Sequence, residues 1–267
     1  MLRKGFRIRL GSVLPQDNDS GPKFSLPGRD LKSSFVRSNA VDHQRKRWTR
    51  LAGNWEAGGA TGLSKVVESV LSKIKADPNA IAVDLGTGTG QLAIPIAPLV
   101  REVWAVDISK SMLDLLVDNA AAKGISNIKP IVSPIETLDF PPASVDLVVT
   151  NYVLHHLLDS DKQATIAHIY QWLKPGGYLV IGDMMFGRGS DSRDRQIIAS
   201  KLFTMAKKGP TGWWRILKNV WRFSARLQER PVRIDVWEKY LESAGFKDIS
   251  YEPVIAEAVV MVARSPK

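Results

Sequence analysis

The sequence predicts an α/β fold in which helices cover a mostly parallel β-sheet. Residues 81–85 suit a buried strand, and they lead into three glycines at alternate positions before helix-compatible residues resume at 92. Strand-like and helical segments then alternate along the chain, which is typical of parallel sheets because consecutive parallel strands need a crossover connection. The length of 267 residues suits one domain of this kind.

The glycine turn at Gly86, Gly88 and Gly90 predicts a ligand site. A strand that feeds a glycine-rich turn and a helix brings free backbone N–H groups and the helix N-terminus to one point, which favours a nucleotide-like ligand. Asp107 follows the second strand, 102–106, and lies 21 residues after Gly86, where a carboxylate can accept hydrogen bonds from both hydroxyls of a ribose. A dinucleotide fingerprint would place glycine at position 91, which is glutamine, so a nicotinamide-dependent enzyme is disfavoured. A glycine turn with a purely structural role is the alternative.

Four segments, 83–90, 105–109, 144–148 and 172–177, resemble successive motifs of the class I S-adenosylmethionine-dependent methyltransferases in their order and spacing. The resemblance implies a Rossmann-like three-layer sandwich whose mostly parallel, seven-stranded sheet has an antiparallel last strand. It also implies a methyltransferase that takes S-adenosylmethionine as cofactor and releases S-adenosylhomocysteine. Further elements are expected as strands at 127–132, 145–150, 177–183, 247–251 and 258–264, with a helix at 236–244 that ends at Gly245.

The same resemblance implies a set of cofactor-binding residues that follow the strands. The expected members are Asp84, Gly86, Thr87, Gly88, Gly90, Asp107, Ile108, Met112, Ile135 and Asn151. The family commonly carries an aspartate after its third strand to meet the adenine amino group, and this sequence has Pro134 there. Because proline has no side-chain acceptor, we expect the adenine contact to shift to Ser133, Glu136 or the backbone near Ile135.

The end of the fourth strand predicts the place where the methyl group is transferred. Ligand-facing residues of an open parallel sheet follow its strands, which puts Asn151, Tyr152 and His155 beside the methyl group. His155 and His156 resemble a pair of histidines that is widespread in the small-molecule branch, which acts on quinones, lipids and metabolites. An imidazole can remove the proton of a hydroxyl acceptor, so His155 is a candidate catalytic base. The alternative is that both histidines bond the backbone and shape the pocket.

Tryptophans and arginines predict two further parts of the acceptor site. Trp55, within the helical pattern of residues 40–74, resembles an aromatic that closes over the methionine end of the cofactor; packing in the core is the alternative. Residues 187–233 form an insertion in which 213–227 is amphipathic, with tryptophans on its apolar face and arginines opposite. It can be a lid, a packed helix or a membrane-surface helix. The expected substrate-binding residues are Trp55, Tyr152, His156, Met185, Trp213 and Trp214.

The net charge of +10 is concentrated in two places. Residues 1–50 carry +8 and residues 187–233 carry +9, whereas the remainder carries −7. We therefore expect a basic N-terminal arm at 1–39 and a methyltransferase domain at 40–267 that contains the insertion as an acceptor-binding cap. Basic appendages favour an anionic partner such as a phosphorylated acceptor, nucleic acid or a lipid surface.

Residue usage excludes several classes of site. The chain has no cysteine, which excludes disulfides and thiolate chemistry, and His43 and His168 lack the spacing of metal ligands, so no metal is expected. No apolar run is long enough to span a bilayer, and no secretory signal is evident. We therefore expect a cytoplasmic protein, and peripheral membrane contact through 213–227 is an option. The favoured acceptor is small and apolar or lipid-like. The alternatives are an RNA methyltransferase, disfavoured because the proline motif of base methyltransferases is missing, and a non-catalytic scaffold.

Overall fold

A computed structural model describes residues 41–42, 44–50, 61–187, 189, 192–206 and 230–267. These residues build a seven-stranded sheet in the order β3-β2-β1-β4-β5-β7-β6. The strands are β1 Asp77–Leu85, β2 Val100–Asp107, β3 Ile128–Val132, β4 Val145–Asn151, β5 Leu173–Met184, β6 Lys247–Pro253 and β7 Ala258–Arg264. Strands β1 to β5 are parallel to one another, and β7 is antiparallel to both β5 and β6. The predicted fold class is confirmed.

Helices cover both faces of the sheet. They are α1 Thr61–Ser72, α2 Ala93–Ile96, α3 Lys110–Ala121, α4 Asp159–Trp172, α5 Ser192–Ala206 and α6 Ile234–Ala244. Alternate residues of β1 belong to two hydrophobic clusters, with Val83 in one and Ala82 in the other. The Val83 cluster includes residues of α4 and α6, and the Ala82 cluster includes residues of α1, α2 and α3. Period-two burial in the strands therefore produces the predicted three layers.

Two strands, β1 and β5, are longer than predicted by four residues or more, for identifiable reasons. β5 begins at Leu173, where it pairs with Val145, and its register then shifts before Tyr178 pairs with Leu147. The shift falls on the Lys-Pro-Gly-Gly segment, whose Gly177 has no room for a Cβ because two carbonyl oxygens lie 2.9 and 3.0 Å from that position. β1 begins four residues early at Asp77, with an irregularity in its pairing to β2 before residue 81. Sequence patterning found only the regular parts of these strands.

The C-terminal elements agree with the sequence pattern, and other predicted segments are not described. Helix α6 ends at Gly245, whose φ of +107° is the left-handed conformation expected of a glycine cap. Residues 44–50 are helical, as the pattern predicted. The predicted arm at 1–39, Trp55 and the amphipathic stretch 213–227 lie outside the described residues. Among the helices that are described, none is long and apolar enough to cross a membrane.

Candidate active site

A crevice opens at the carboxyl ends of β1, β2 and β4, where the strand order reverses direction. This is the point at which open α/β sheets bind ligands, because the connections on either side of it lead away to opposite faces. Eleven predicted site residues line the crevice: Asp84, Gly86, Thr87, Gly88, Asp107, Ile108, Met112, Ile135, Asn151, Tyr152 and His156. The sheet thus brings together residues that are up to 72 positions apart in the sequence.

The glycine turn forms the floor of the crevice. Gly86 and Gly88 have φ of +71° and +55°, which L side chains rarely adopt. The N–H groups of Gly86 and Thr87 both donate to the Val106 carbonyl, at 2.8 and 2.9 Å, and this anchors the turn to β2. A Cβ on Gly86 would lie 2.3 Å from a methyl carbon of Val153, whereas one on Gly88 would meet nothing within 4 Å. Gly86 is therefore required by packing, and Gly88 leaves open space for a ligand.

Asp84, near the end of β1, holds the glycine turn in place through hydrogen bonds. Its Oδ2 accepts hydrogen bonds from the Thr87 hydroxyl at 2.7 Å and from the Ala93 N–H at 3.0 Å, so that it ties the strand to the start of α2. The side chain is only 2% exposed. Desolvation by this burial raises the pKa of Asp84 from 3.8 to about 7, and the nearby charge of Asp107 acts in the same direction.

Asp107 is the last residue of β2, and its side chain links the glycine turn to the loop that follows β2. Its Oδ2 accepts from the Gly88 N–H at 3.0 Å and its Oδ1 from the Ser109 N–H at 2.8 Å. Burial raises its pKa, although the backbone donors oppose the effect. Because an ionised carboxylate offers about four acceptor positions, Asp107 keeps capacity for the hydroxyls of a ligand.

The segment after β3 supplies the wall next to Asp107. Ser133, Pro134, Ile135 and Glu136 all line the crevice, and the Ser133 N–H donates to the Asp107 carbonyl at 3.0 Å. Pro134 precedes a single 3-10 turn at Ile135–Thr137, which puts the buried Ile135 against the crevice. The position where the resembled family has aspartate is thus at the site, but its side chain is apolar.

The opposite end of the crevice is formed where β4 ends. Tyr152 has φ of +54°, which is uncommon for a residue other than glycine, and its N–H donates to the Gly182 carbonyl at 2.8 Å. Burial, with the charges of Glu257 and Asp183, raises the pKa of the Tyr152 hydroxyl, which therefore stays protonated. The Asn151 Oδ1 atom is buried and has no hydrogen-bond partner within the described part of the chain. An unmet acceptor at this position favours a ligand that carries a donor.

The two histidines occupy different environments. His156 lines the crevice, whereas His155 is 4% exposed and bonds to Asp183, a fully buried residue of β5. The His155 Nδ1 lies 2.5 Å from Asp183 Oδ1, and the His155 N–H donates to Oδ2 at 3.0 Å. Sequence reasoning missed Asp183, although an acid at the carboxyl end of β5 is a usable signal.

The helical segment 44–50 reaches both walls of the crevice. The Gln44 amide donates to the His156 carbonyl at 3.1 Å, and the Trp48 and His156 rings lie edge to face with centroids 5.4 Å apart. On the other side, the hydroxyls of Thr49 and Ser109 are 3.3 Å apart. Gln44 and Trp48 line the crevice, so this segment covers part of it.

Lys162 supports the loop that carries His156. It is fully buried on α4, and its Nζ donates to the Leu157 carbonyl and to Asp159 Oδ1, both at 2.9 Å. Desolvation lowers the pKa of Lys162, and Asp159 opposes this effect. Leu157 lines the crevice, so a buried ammonium fixes part of its wall. No sequence signal distinguished Lys162 from other helical lysines.

Several predicted site residues are not in the crevice wall. Gly90 has φ of +96° and no space for a Cβ, because Ile94 and Leu116 pack against it, so its role is to seat α2 and α3. Met185 is fully buried in the hydrophobic core and presents no surface to an acceptor. Trp55, Trp213 and Trp214 lie outside the described residues. Within the described ranges, no group of three or more His, Asp or Glu side chains could hold a metal ion.

Comparison with known proteins identifies the class to which this site belongs. Residues 82–177 match the family model described as a methyltransferase domain. The chain is 31% identical over 100 residues to the uncharacterized methyltransferase YcgJ of Bacillus subtilis, covering 38% of this chain and 39% of that protein. It is 27% identical over 177 residues to the carboxy-S-adenosyl-L-methionine synthase of Shewanella frigidimarina, covering 65% and 71% of the two chains. The structure of the DhpI–SAH complex superposes with a TM-score of 0.62 at 14% identity, over 85% of this chain and 97% of that one.

The fold, the crevice and these matches together define a class I S-adenosylmethionine-dependent methyltransferase domain. The family match is confined to residues 82–177, the segment that contains the glycine turn and Asp107. The match to YcgJ spans about two fifths of that relative's length. The relatives therefore define the domain, and the reaction of the whole protein is a separate question.

Proposed function

We propose that this protein transfers the methyl group of S-adenosylmethionine to a small acceptor that is bulky and apolar or lipid-like. The proposal rests on the side chains that line the crevice at the end formed by the C-terminus of β4, past Asn151. Its wall there includes the apolar or aromatic side chains of Trp48, Leu63, Tyr152 and Leu157, with His156 and Gln44 beside them. An apolar wall favours an apolar acceptor, because burying it removes apolar surface from water on both sides.

The cofactor end has the groups that S-adenosylmethionine requires. Asp107 has acceptor capacity for the ribose hydroxyls, and Gly88 leaves open space above the turn. Ile135 and Met112 are apolar surfaces suited to an adenine ring, while the unpartnered Asn151 Oδ1 can accept from the ammonium of the methionine part. The bound cofactor supplies an activated methyl on a sulfonium. The remaining task of the protein is to align the acceptor and exclude water.

The test is transfer of a labelled methyl group. The purified full-length protein is incubated with methyl-labelled S-adenosylmethionine and, separately, with a lipid and metabolite extract and with total RNA, and the labelled product is identified by mass. Label in a small apolar compound supports the proposal, and label confined to RNA contradicts it. Calorimetry with the cofactor alone distinguishes a scaffold, for which no binding heat is expected at millimolar concentration.

Peripheral contact with a membrane remains part of the proposal. A lipid-like acceptor is delivered most directly from a bilayer surface, and residues 213–227 have the tryptophan and arginine pattern of an interfacial helix. Sedimentation with vesicles of anionic and of neutral phospholipid tests it. Binding to neither kind of vesicle would remove this part of the proposal and leave the acceptor chemistry in place.

A further inference from the structure

The helical segment that covers part of the crevice carries an unbalanced positive charge. Four of the seven residues 44–50 are Arg or Lys, and none is acidic. Three of these cations, Lys46, Arg47 and Arg50, have no acid partner in the part of the chain that the structure describes. We call these three residues the basic face. Helix stability does not explain the arrangement, because like charges three and four residues apart on a helix repel each other.

The basic face lies on the side of the helix that is turned away from the crevice. At about 100° per residue, its three members fall within about 100° of the helix circumference. Gln44 and Trp48 lie on the opposite side and line the crevice. Lys46 and Arg50 are exposed, whereas Arg47 is partly buried and its guanidinium lies 5.4 Å from the centroid of the Trp48 ring. One side of the segment therefore covers the crevice, and the other side presents cations to the solvent.

The position of the basic face relative to the crevice is fixed at both walls. The Gln44 amide donates to the His156 carbonyl at 3.1 Å, and the Thr49 hydroxyl lies 3.3 Å from the Ser109 hydroxyl. A partner that binds the basic face is therefore held next to the opening of the crevice. This is the side from which an acceptor enters.

An extended anionic surface fits the basic face better than a single anion does. Three cations spread along one helix do not converge on one point, as the donors to a bound phosphate do. The surface of a bilayer with acidic headgroups attracts such a row over a distance of about 10 Å without converging contacts.

The surroundings of the basic face favour a bilayer over a nucleic acid. Single-stranded nucleic acids bind through bases that stack on exposed aromatic rings. The Trp48 ring is turned inward, where it lies edge to face with His156 at 5.4 Å between centroids. The crevice behind it has apolar side chains at Leu63 and Leu157, which suit an acceptor that dissolves in a bilayer.

We propose that the basic face binds a membrane surface with acidic headgroups and so holds the opening of the crevice against the bilayer. The inference rests on the proposed function, because it gives a lipid-like acceptor a route into the crevice that avoids bulk water. It assigns the orientation of the protein on the membrane to the segment 44–50, which is separate from residues 213–227.

Sedimentation of the purified full-length protein with vesicles tests the surface. The probes are vesicles of phosphatidylglycerol and of phosphatidylcholine. One variant combines Lys46→Glu with Arg50→Glu, and the control combines Lys123→Glu with Lys239→Glu, which changes the net charge equally at two exposed lysines elsewhere in the chain. The wild type should bind phosphatidylglycerol at least about tenfold more tightly than phosphatidylcholine. The first variant should lose at least about thirtyfold in affinity for phosphatidylglycerol, and the control less than about threefold.

A fluorescent label shows which part of the protein meets the membrane. The chain has no cysteine, so one introduced cysteine is the only site that a thiol-reactive dye can label. Arg45→Cys puts an environment-sensitive dye on the segment, where the ion pair that it removes, with Asp42, is exposed and contributes little to stability. Lys123→Cys is the control. Phosphatidylglycerol vesicles should shift the emission of the first label to shorter wavelength and leave the second unchanged.

Three results would overturn the inference. The first is an equal loss of vesicle binding in the two double variants, because attraction would then depend on net charge alone. The second is wild-type binding to neither kind of vesicle, or to both equally. The third is a preference for polyuridylic acid over phosphatidylglycerol that Lys46→Glu with Arg50→Glu removes, because the basic face would then bind nucleic acid. Should that variant fail to fold, as judged by circular dichroism, Lys46→Gln with Arg50→Gln gives the same comparison.

Methyl transfer in detergent micelles separates this inference from the proposed function. The wild type is incubated with methyl-labelled S-adenosylmethionine and the lipid extract in micelles of an uncharged detergent. A labelled apolar product together with no vesicle binding removes the docking surface and keeps the proposed function. Vesicle binding with no labelled apolar product keeps the surface and contradicts the proposed function.

Discussion

Asp84→Asn tests how the glycine turn is held. In the folded protein the pKa of Asp84 rises from 3.8 to about 7 because burial disfavours the charged form. A raised acid pKa means that the folded state binds its proton more tightly than the unfolded state does. The contribution of Asp84 to stability is therefore fully present below about pH 4 and is lost as the pH rises through about 7.

The size of the effect follows from the same numbers. At about 1.4 kcal/mol for each pH unit between the two pKa values, ionisation of Asp84 costs on the order of 4 kcal/mol of folding free energy above pH 7. Asparagine keeps the shape and an oxygen that can accept from Thr87 and Ala93, but it carries no charge. We therefore expect Asp84→Asn to gain stability relative to the wild type as the pH rises, by up to about 4 kcal/mol between pH 4 and pH 8.

The assay is urea unfolding of both proteins at one-unit steps across this range. Asp118→Asn, which removes an exposed carboxyl of α3, controls for the loss of one formal charge and should change the free energy of unfolding by less than about 0.5 kcal/mol. A difference between wild type and Asp84→Asn that does not vary with pH would refute the argument. It would mean that Asp84 is ionised in the folded protein at little cost.

Three further predictions concern the same crevice. Gly86→Ala should lower the free energy of unfolding by at least about 2 kcal/mol, because it combines positive φ with a clash against Val153. Gly88→Ala should lower it by only about 1 kcal/mol and should act mainly by weakening cofactor binding. Urea unfolding measures the stability of both variants, and calorimetry measures their cofactor affinity. Lys162→Met should lower the free energy of unfolding by about 1–3 kcal/mol, since it leaves a buried carbonyl without its donor, and Lys162→Arg should recover part of the loss. Asp107→Ala should weaken S-adenosylmethionine binding about a hundredfold with an unchanged far-ultraviolet spectrum; undiminished affinity would show that the ribose binds elsewhere.

The sheet and its glycine turn could be predicted because their determinants are local. Short apolar runs in the sequence indicate buried strands, and glycine at 86 and 88 indicates the positive φ that the turn requires there. Gly90 was assigned to the ligand by the same pattern, but its Cβ position is filled by Ile94 and Leu116. Sequence spacing shows that a glycine is needed and does not show which neighbour requires it.

The acceptor end could be predicted only in part, because its contacts join distant segments. His155 and Asp183 are 28 residues apart, and Gln44 and His156 are 112 apart, so no local pattern links either pair. Met185 was assigned to the pocket from its place just after β5, where residues often face a ligand. The structure buries its side chain completely. Position at a strand end therefore indicates a site, but the direction of each side chain depends on packing that the sequence does not display.

The division of the crevice explains why related proteins identify the cofactor more readily than the acceptor. The matched methyltransferase domain, residues 82–177, contains the glycine turn, Asp107 and the wall at Ile135. Trp48, Asp183 and Arg230, which cover or support the acceptor end, all lie outside that match. The acceptor end combines Tyr152, His156 and Leu157 from inside the match with Trp48 and Leu63 from the segment before it, so part of its chemistry can change while the cofactor end stays the same. The acceptor is therefore better sought through the wall around Trp48 and Leu63 than through the relatives.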